Sequence, residues 1–442
     1  MSTDLLVEAL QELDASQARY AHLQRYATGT QPLAFLSNES RKALDNRLCR
    51  MSIGVPALAV SSLSERLRPN GFSDERAWDL FVQSDLDQLA VRVHSDALTF
   101  GYGWVLAWAK DGKPVASVES PQQCAVLTDP ADRSVTAGLK RWRTKTETHA
   151  MLYLPDRIEH HVAKTPGAVT AGFDLVETLD NPLGVVPLIR FGDGHSEIDG
   201  LTDLTDALVK VTLDMVIASH AAGFGRRWVT GAELIETPRL DDNGEPVLDE
   251  LGEPIMDVSS PFDESATSWA IGENAETKFG SFSEARLDGF ETAVRVLVSQ
   301  IMAVSALPSH YLGILTSQPT SADSLRASEA SLVARVEMRQ LILGRSWEQV
   351  GRLLIAIETG EDPVSIPLRV RWSPADSRSE SQVSDSVTKL VQAGILPVTY
   401  ALRRLGYGAD EIAEIIAARE QEIGSGLRAE IKRYTAATMS DG

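Results

Sequence analysis

The chain has 442 residues, 43% hydrophobic and 24% charged, which is enough for two or three domains with cores of their own and too apolar for a disordered chain. A formal net charge of −20 argues against a protein that grips nucleic acid by its phosphates, because such binding runs on clustered Lys and Arg. Cys49 and Cys124 are too few for a disulfide framework or a thiolate cluster, so two buried small hydrophobes in a reducing cytoplasm are expected; the acidic start is unlike a signal peptide, and no apolar run is long enough to span a membrane.

Apolar residues recur at helical spacing from Thr3 to about Tyr26 and from Val55 to Leu67, and "DERAWDLFVQSDLDQLAVRVHSDALTF" continues the pattern to Phe100. After Gly101 and Gly103 the pattern changes to short runs bounded by turn residues: "WVLAWAKDGKPVASVE", "CAVLTD", "TAGLKRWRT", "HAMLYLPDRIEHHVA" and "GVVPLIRF". The turns at Asp111-Gly112 and Pro155-Asp156 predict an antiparallel meander, so this first part of the chain reads as a mixed α+β domain. His160-His161 lies in a predicted strand, where successive side chains point to opposite faces, so an exposed pair is expected rather than a shared metal ion.

Two later helices carry heptad seams. Leu201, Leu204, Leu208, Val211, Met215, Ala218 and Ala222 alternate steps of three and four, and Leu287, Phe290, Val294, Leu297, Ile301 and Val304 do the same. Seams this short need helical partners, either within a bundle or in other copies of the chain, and none is evident within one chain. The Asp203, Asp206 and Asp214 series reads as a polar face rather than paired carboxylates. Between the two helices, "GEPVLD" and "GEPIMD" echo each other beside an Asn243-Gly244 turn signal, which predicts a protruding β-rich insert. Its acids include Asp241, Asp242, Glu245, Asp249, Glu250, Glu253 and Asp257, with Arg239 alone among them; they lack the alternation and glycine of a Ca²⁺ loop and form a solvated face.

The next stretch, "YLGILTSQPTSADSLRASEASLVARVEMRQ", joins a pliable loop to a very long helix. Thr320 or Ser321 can cap it, and Leu325, Leu332, Val336, Leu343, Trp347, Val350 and Leu354 then recur to about Thr359, with Gly344 and Gly351 as points where it could bend. "VSIPLRVRWSPA" alternates as a strand returning to a sheet formed much earlier. From Ser379 the chain reads as three short helices punctuated by Gly394, Pro397, Gly406 and Gly408.

No G-x-x-x-x-G-K-[ST], H-E-x-x-H or G-x-S-x-G occurs, so the sequence names no catalytic residue, metal ligand or cofactor. A helical DNA-binding or scaffold-type oligomer is one alternative for these elements, although Lys389, Arg403 and Arg404 are few against Asp410, Glu411, Glu414, Glu420 and Glu422. An enzyme with no recognisable motif is another.

The order of elements, together with "RPNGFSDERAWDLF" (Arg68 to Phe81), "VHSDALTFGYGWVLAW" (Val93 to Trp108), "LPSHYLGILTSQPTSADSLRASEASLVARVEMRQLILGRSWEQV" and "AGILPVTYALRRLGYGADEI", resembles the portal proteins of tailed bacteriophages, in particular those of actinobacteria, over about residues 30 to 425. The resemblance implies a helix-rich α+β portal fold: a wing (1–195), a first stem helix (196–228), a clip (229–280), a second stem helix (281–305), a tunnel loop (306–323), a long helix with a returning wing strand (324–378), and a helical crown and tail (379–442). It further implies a homo-oligomeric ring, commonly a dodecamer, at one capsid vertex of the virion, after synthesis in the host bacterial cytoplasm. DNA would be packaged through the ring by terminase and later ejected. Leu315, Thr316, Ser317, Gln318, Pro319 and Thr320 would line the channel; Leu201, Leu204, Leu208, Val211, Met215, Leu287, Phe290, Val294, Leu297 and Ile301 would form the stem seam; and the clip acids would dock the terminase large subunit or the head-tail adaptor. Major capsid protein, scaffold and translocated double-stranded DNA are the other implied partners, with no membrane.

Overall fold

The structure, a computed structural model, describes residues 2–33, 51–223, 227–230, 235–239, 245–248, 252–259, 278–281, 288–313, 322–376, 380–408 and 411–422. The chain opens with α1 (Ser2–Thr28), α2 (Val55–Ser64), β1 (Pro69–Phe72), α3 (Glu75–Gln83) and α4 (Leu86–Phe100). Eight strands follow: β2 (Gly103–Lys110), β3 (Lys113–Glu119), β4 (Cys124–Thr128), β5 (Val135–Arg143), β6 (Thr148–Tyr153), β7 (Arg157–Ala163), β8 (Phe173–Asp180) and β9 (Leu188–Phe191). Next come α5 (Thr202–Gly223), β10 (Arg227–Thr230), β11 (Ile235–Pro238), β12 (Met256–Ser259), β13 (Lys278–Ser281) and α6 (Asp288–Ser305). The chain continues with α7 (Ala322–Thr359), β14 (Val370–Trp372), α8 (Glu380–Gln392) and α9 (Val398–Arg404), and residues 411–422 are helical.

The predicted hairpin forms as its turn chemistry requires. Asp111 and Gly112 both have positive φ, 52° and 74°, and join β2 to β3 with Lys110 opposite Lys113. Strand β9 pairs with the other edge of β2, giving a sheet of order β3-β2-β9. The meander β4-β5-β6-β7-β8 is antiparallel throughout. Helix α1 covers it, with Leu6, Ala9, Leu10 and Leu13 packed against Ala125, Ala137, Leu139, Ala150, Leu152 and Leu154. Strand β8, which the turn signals do not bracket, is its exposed edge.

Helix α7 runs 38 residues, about 57 Å at helical rise, through the middle of the larger core. Its stripe of Leu332, Val336, Leu343, Trp347, Val350 and Leu354 is buried as the periodicity predicts, whereas Leu325 is partly exposed. Trp347 is enclosed by Phe81 and Phe191, with ring centroids 5.1 and 4.5 Å away, and its Nε1–H donates to His94 Nε2 at 2.8 Å. Burial pushes the His94 pKa down to about 3, so the imidazole stays neutral and able to accept that bond.

Gly344 and Gly351 do not interrupt α7; they let another segment of the same chain come close. A Cβ on Gly351 would lie 2.5 Å from Leu368 Cδ2, and one on Gly344 would lie 3.1 Å from Val370 Cγ1. The residues approaching them belong to the returning segment, whose strand β14 pairs antiparallel with β1, the early strand to which the alternation pointed. Cys124 is buried as expected, and burial raises its thiol pKa; Cys49 lies outside the described residues.

Two glycine turns interlock where α4 hands over to β2 and β9 leaves the sheet. Gly101 has φ of 89° and its carbonyl accepts the Gly194 N–H at 3.1 Å, while a Cβ on Gly101 would lie 2.6 Å from the Gly194 backbone. Neither main chain has a side chain that could swing aside. Gly101→Ala is therefore expected to destabilise the protein by about 3 kcal/mol or more, a severe loss for a marginally stable fold. Urea unfolding followed by circular dichroism checks this; an unchanged midpoint would show that the turns can separate without cost.

Candidate functional site

Helices α5 and α6 pack against each other, with a 3-10 turn at Asp199–Leu201 leading into α5. Leu201, Leu208 and Ile301 are buried in one cluster with Val55, Ala59 and Leu307, and Leu204, Val294 and Leu297 are half-buried around it. The expectation that the seams lack a partner within one chain thus fails at this end: the two helices are each other's partner, which seven-residue spacing alone does not reveal. Farther along, Val211, Met215 and Phe290 are only half-buried, and Leu287 lies outside the described residues.

Beneath this helix pair is a charged hub that the sequence does not announce. Arg335 and Arg339, one turn apart on α7, both reach Glu197, whose side chain is 8% exposed. Arg339 Nε donates to Glu197 Oε1 at 2.9 Å and its Nη1 to Asp193 Oδ1 at 3.1 Å; Arg335 Nη1 donates to Glu197 Oε2 at 3.2 Å and its Nη2 to the Val304 carbonyl at 2.9 Å. The lead-in to α5, the last turn of α6 and the middle of α7 are therefore tied at one point. Burial alone would lower the Arg339 pKa, but the Glu197 and Asp193 carboxylates outweigh it and hold the guanidinium charged. Asp193 is held below the usual carboxylate range: burial opposes this, and the His195 backbone N–H and Arg339 overcome it.

A second arginine clamp lies at the approach to residues 314–321. Arg66 donates to Tyr311 Oη at 3.0 Å, Glu329 Oε2 at 3.1 Å and the Ala375 carbonyl at 2.9 Å. Tyr311 belongs to the 3-10 turn Ser309–Leu312 and Glu329 to α7, so Arg66 joins the segments on either side of residues 314–321. The predicted channel residues Leu315, Thr316, Ser317, Gln318, Pro319 and Thr320 lie outside the described residues.

The insert leaves from the far ends of α5 and α6. It contains two antiparallel ladders, β10 with β13 and β11 with β12, and an isolated bridge between Leu248 and Pro254. Glu245, Glu253 and Asp257 are exposed, and Asp257 accepts from Arg239, the lone base of the segment, at 2.5 Å; Asp241, Asp242, Asp249 and Glu250 lie outside the described residues.

His160 and His161 do not form an exposed pair. His161 is 5% exposed with Nε2 3.0 Å from Glu159, while His160 sits on the other face with Nε2 3.1 Å from His149 Nδ1, beside Trp142. Asp206 accepts from Tyr26 Oη at 2.8 Å and Asp214 pairs with Lys210, so each is occupied locally. Among the described residues no three His, Cys, Asp or Glu side chains converge to hold a metal ion, and no helix is long and apolar enough to cross a membrane.

Removing one partner of a buried ion pair leaves the other charge uncompensated. Arg339→Met is thus expected to cost about 3–5 kcal/mol, and Arg339→Lys to recover only part of it, because an ammonium cannot bridge both carboxylates as the guanidinium does. Chemical denaturation of the two variants checks the hub; a loss below about 1 kcal/mol for methionine would show that Glu197 finds water instead.

The sequence model of the family described as "Phage portal protein, SPP1 Gp6-like" matches residues 55–425. The portal protein of Mycobacterium phage L5 is 27% identical over 410 residues, covering 85% of this chain and 80% of its own. That of Mycobacterium phage D29 is 26% identical over 412 residues, again covering 85% and 80%. Among solved structures, a chain of the native gene transfer agent virion aligns with TM-score 0.40 and 12% identity over 88% of this chain and 93% of its own. A chain from the neck of an empty gene transfer agent particle aligns with TM-score 0.42 and 13% identity over 86% and 96%. The assignment rests on the sequence matches, which run from α2 through the helices after β14: the chain belongs to the phage portal protein family.

Proposed function

We propose that copies of this portal protein close into a ring at one capsid vertex, with α5 and α6 as its stem, the insert at one end and the helices after β14 at the other. The observation that carries the ring is the incomplete seam. Near the hub the α5–α6 pair buries its own apolar face, whereas Val211, Met215 and Phe290 farther out keep theirs half open. A neighbouring copy is the simplest cover, because a heterologous contact repeated by rotation closes a ring. In this reading DNA passes along the axis, terminase and then the head-tail adaptor dock on the acidic insert, and capsid protein surrounds the ring. The family is structural, and we assign no catalytic step.

Electrostatics supports slip rather than grip. A ring of about twelve copies would carry a formal charge of roughly −240 (12 × −20), so a wall sharing that sign would repel phosphates. Residues Leu315 to Thr320 contribute no charged side chain, which suits a constriction in repeated weak contact with DNA.

Val211→Asp and Met215→Asp each place a carboxylate on the half-buried part of the seam. The expected outcome is a folded subunit with normal circular dichroism that no longer forms rings in negative-stain images, while the unaltered protein does. Rings from both variants, or none from the parent in several salt conditions, would overturn the stem assignment. Leu208 is unsuitable for this test, since it is buried within its own subunit and its replacement would unfold the chain.

The constriction has its own test. Ser317→Arg combined with Gln318→Arg adds two cations per subunit where the reading puts passing phosphates. Packaging in extract is expected to slow by at least tenfold at low salt and to recover as salt screens the attraction. Equal packaged length against time for parent and variant at every salt level would remove this loop from the channel.

A further inference from the structure

The β1–β14 pair and helices α8 and α9 enclose a cleft of about 960 Å³, lined by Arg371, Trp372, Tyr400, Arg403, Arg404 and Tyr407. The fold assembles this set from separate parts of the chain: Arg371 and Trp372 come from β14, Tyr400, Arg403 and Arg404 from α9, and Tyr407 from the turn beyond. Read along the sequence, Arg403 and Arg404 are outnumbered by the acids after them; the third arginine arrives only when β14 returns.

Three arginines line this one cleft in a chain that has 62 acidic residues against 42 basic ones. Arg371 and Arg404 are exposed, and among the described residues their side chains make no ion pair or hydrogen bond. Arg403 reaches a carboxylate only loosely, at 3.7 Å from exposed Glu75. Glu411 also lines the cleft, but its carboxylate accepts the Gly408 N–H at 3.3 Å at the start of its own helix. Tyr400 and Tyr407 are 54% and 43% exposed, so their phenols are open to a ligand.

We propose that this cleft binds the phosphate backbone of double-stranded DNA without reading its sequence, through residues other than Leu315 to Thr320. Guanidinium groups match phosphate oxygens with paired N–H donors, and exposed phenol O–H groups add neutral donors to the same backbone. Exposed cations without carboxylate partners keep their attraction for an external anion, which an internal ion pair would have used up. The choice of DNA as the source of phosphate rests on the portal reading; the phosphate chemistry rests on the cleft.

The test is binding of the full-length protein to a short fluorescent duplex, measured by anisotropy from about 50 to about 200 mM salt. The parent is compared with Arg371→Gln/Arg404→Gln and with Arg133→Gln/Lys145→Gln, exposed cations on loops of the meander. Loss of two phosphate contacts should reduce the slope of log affinity against log salt by about 1.8, so the affinity lost over that salt range shrinks about 12-fold in the cleft variant and is unchanged in the loop variant. Absence of DNA binding at the lowest salt, equal slopes for parent and cleft variant, or equal reductions in both variants would each overturn the site. Arginine-dependent binding of a poly-glutamate peptide or of inorganic phosphate, but not of DNA, would overturn DNA as its ligand. Negative-stain images of the same samples separate the two readings: rings without cleft binding refute only the cleft, and cleft binding without rings refutes only the ring.

Discussion

The arrangement of the molecule depends on one buried carboxylate. Glu197 is almost fully removed from water, and an isolated charge there would cost several kcal/mol, so it is tolerable only because two guanidinium groups meet it. Those groups come from α7, while Glu197 itself immediately precedes the α5 lead-in and Arg335 also holds the carbonyl of Val304 near the end of α6. No two of these three segments can shift relative to each other without exposing or stranding a charge. Such a cluster adds little net stability compared with an apolar substitute, but it selects one geometry sharply. For a pair of helices that must stand at a fixed angle to the domain beneath them, selectivity is the property that matters.

Helix α7 can serve as the common rod because its own position is over-determined. Its apolar stripe is enclosed along most of its length, Trp347 is fixed by rings on two sides and by its bond to His94, and the returning segment comes close over Gly344 and Gly351. The chain therefore enters α7 on a rigid support, and Arg66 joins Tyr311, before residues 314–321, to Glu329 after them. On the proposed reading this explains why the longest helix follows a stretch rich in Gly, Ser, Thr, Gln and Pro. A loop that must yield to passing DNA returns to the same place only if both its ends are held.

Much of this fold is legible in the sequence, and the parts that are not share a cause. Periodicity identified α1, α5, α6 and the buried stripe of α7, and the Asp111-Gly112 turn placed the β2–β3 hairpin, because these signals are local. Periodicity reports that a face is buried without saying against what, so the pairing of Leu208 with Ile301 inside one chain was invisible. Glycine in a helix is equally ambiguous. Low propensity suggests a bend at Gly351, whereas the missing side chain in fact admits Leu368, a contact set by tertiary structure. The same holds for charge: Arg339, Arg335, Glu197 and Asp193 look like ordinary surface residues until residues almost 150 positions apart are brought together. The family assignment reached further than local reading because the order of motifs along the chain preserves long-range information that no single motif contains.

The charge distribution extends this argument to the exterior. A net charge of −20 describes the whole chain, but folding divides it unequally. The hub arginines are neutralised internally, and Arg239 in the insert is matched by Asp257, so these cations offer little to an external anion. Arg371 and Arg404 line one cleft and have no ion pair among the described residues. A uniformly acidic molecule would only repel DNA, and a uniformly basic one would bind it along every surface and stall it. On the proposed reading, three arginines gathered in one cleft let a subunit that is acidic as a whole attract phosphate at that place. Which effect dominates at a given point is then decided by distance on the scale of the Debye length, about 8 Å at physiological ionic strength, rather than by the net charge of the whole chain.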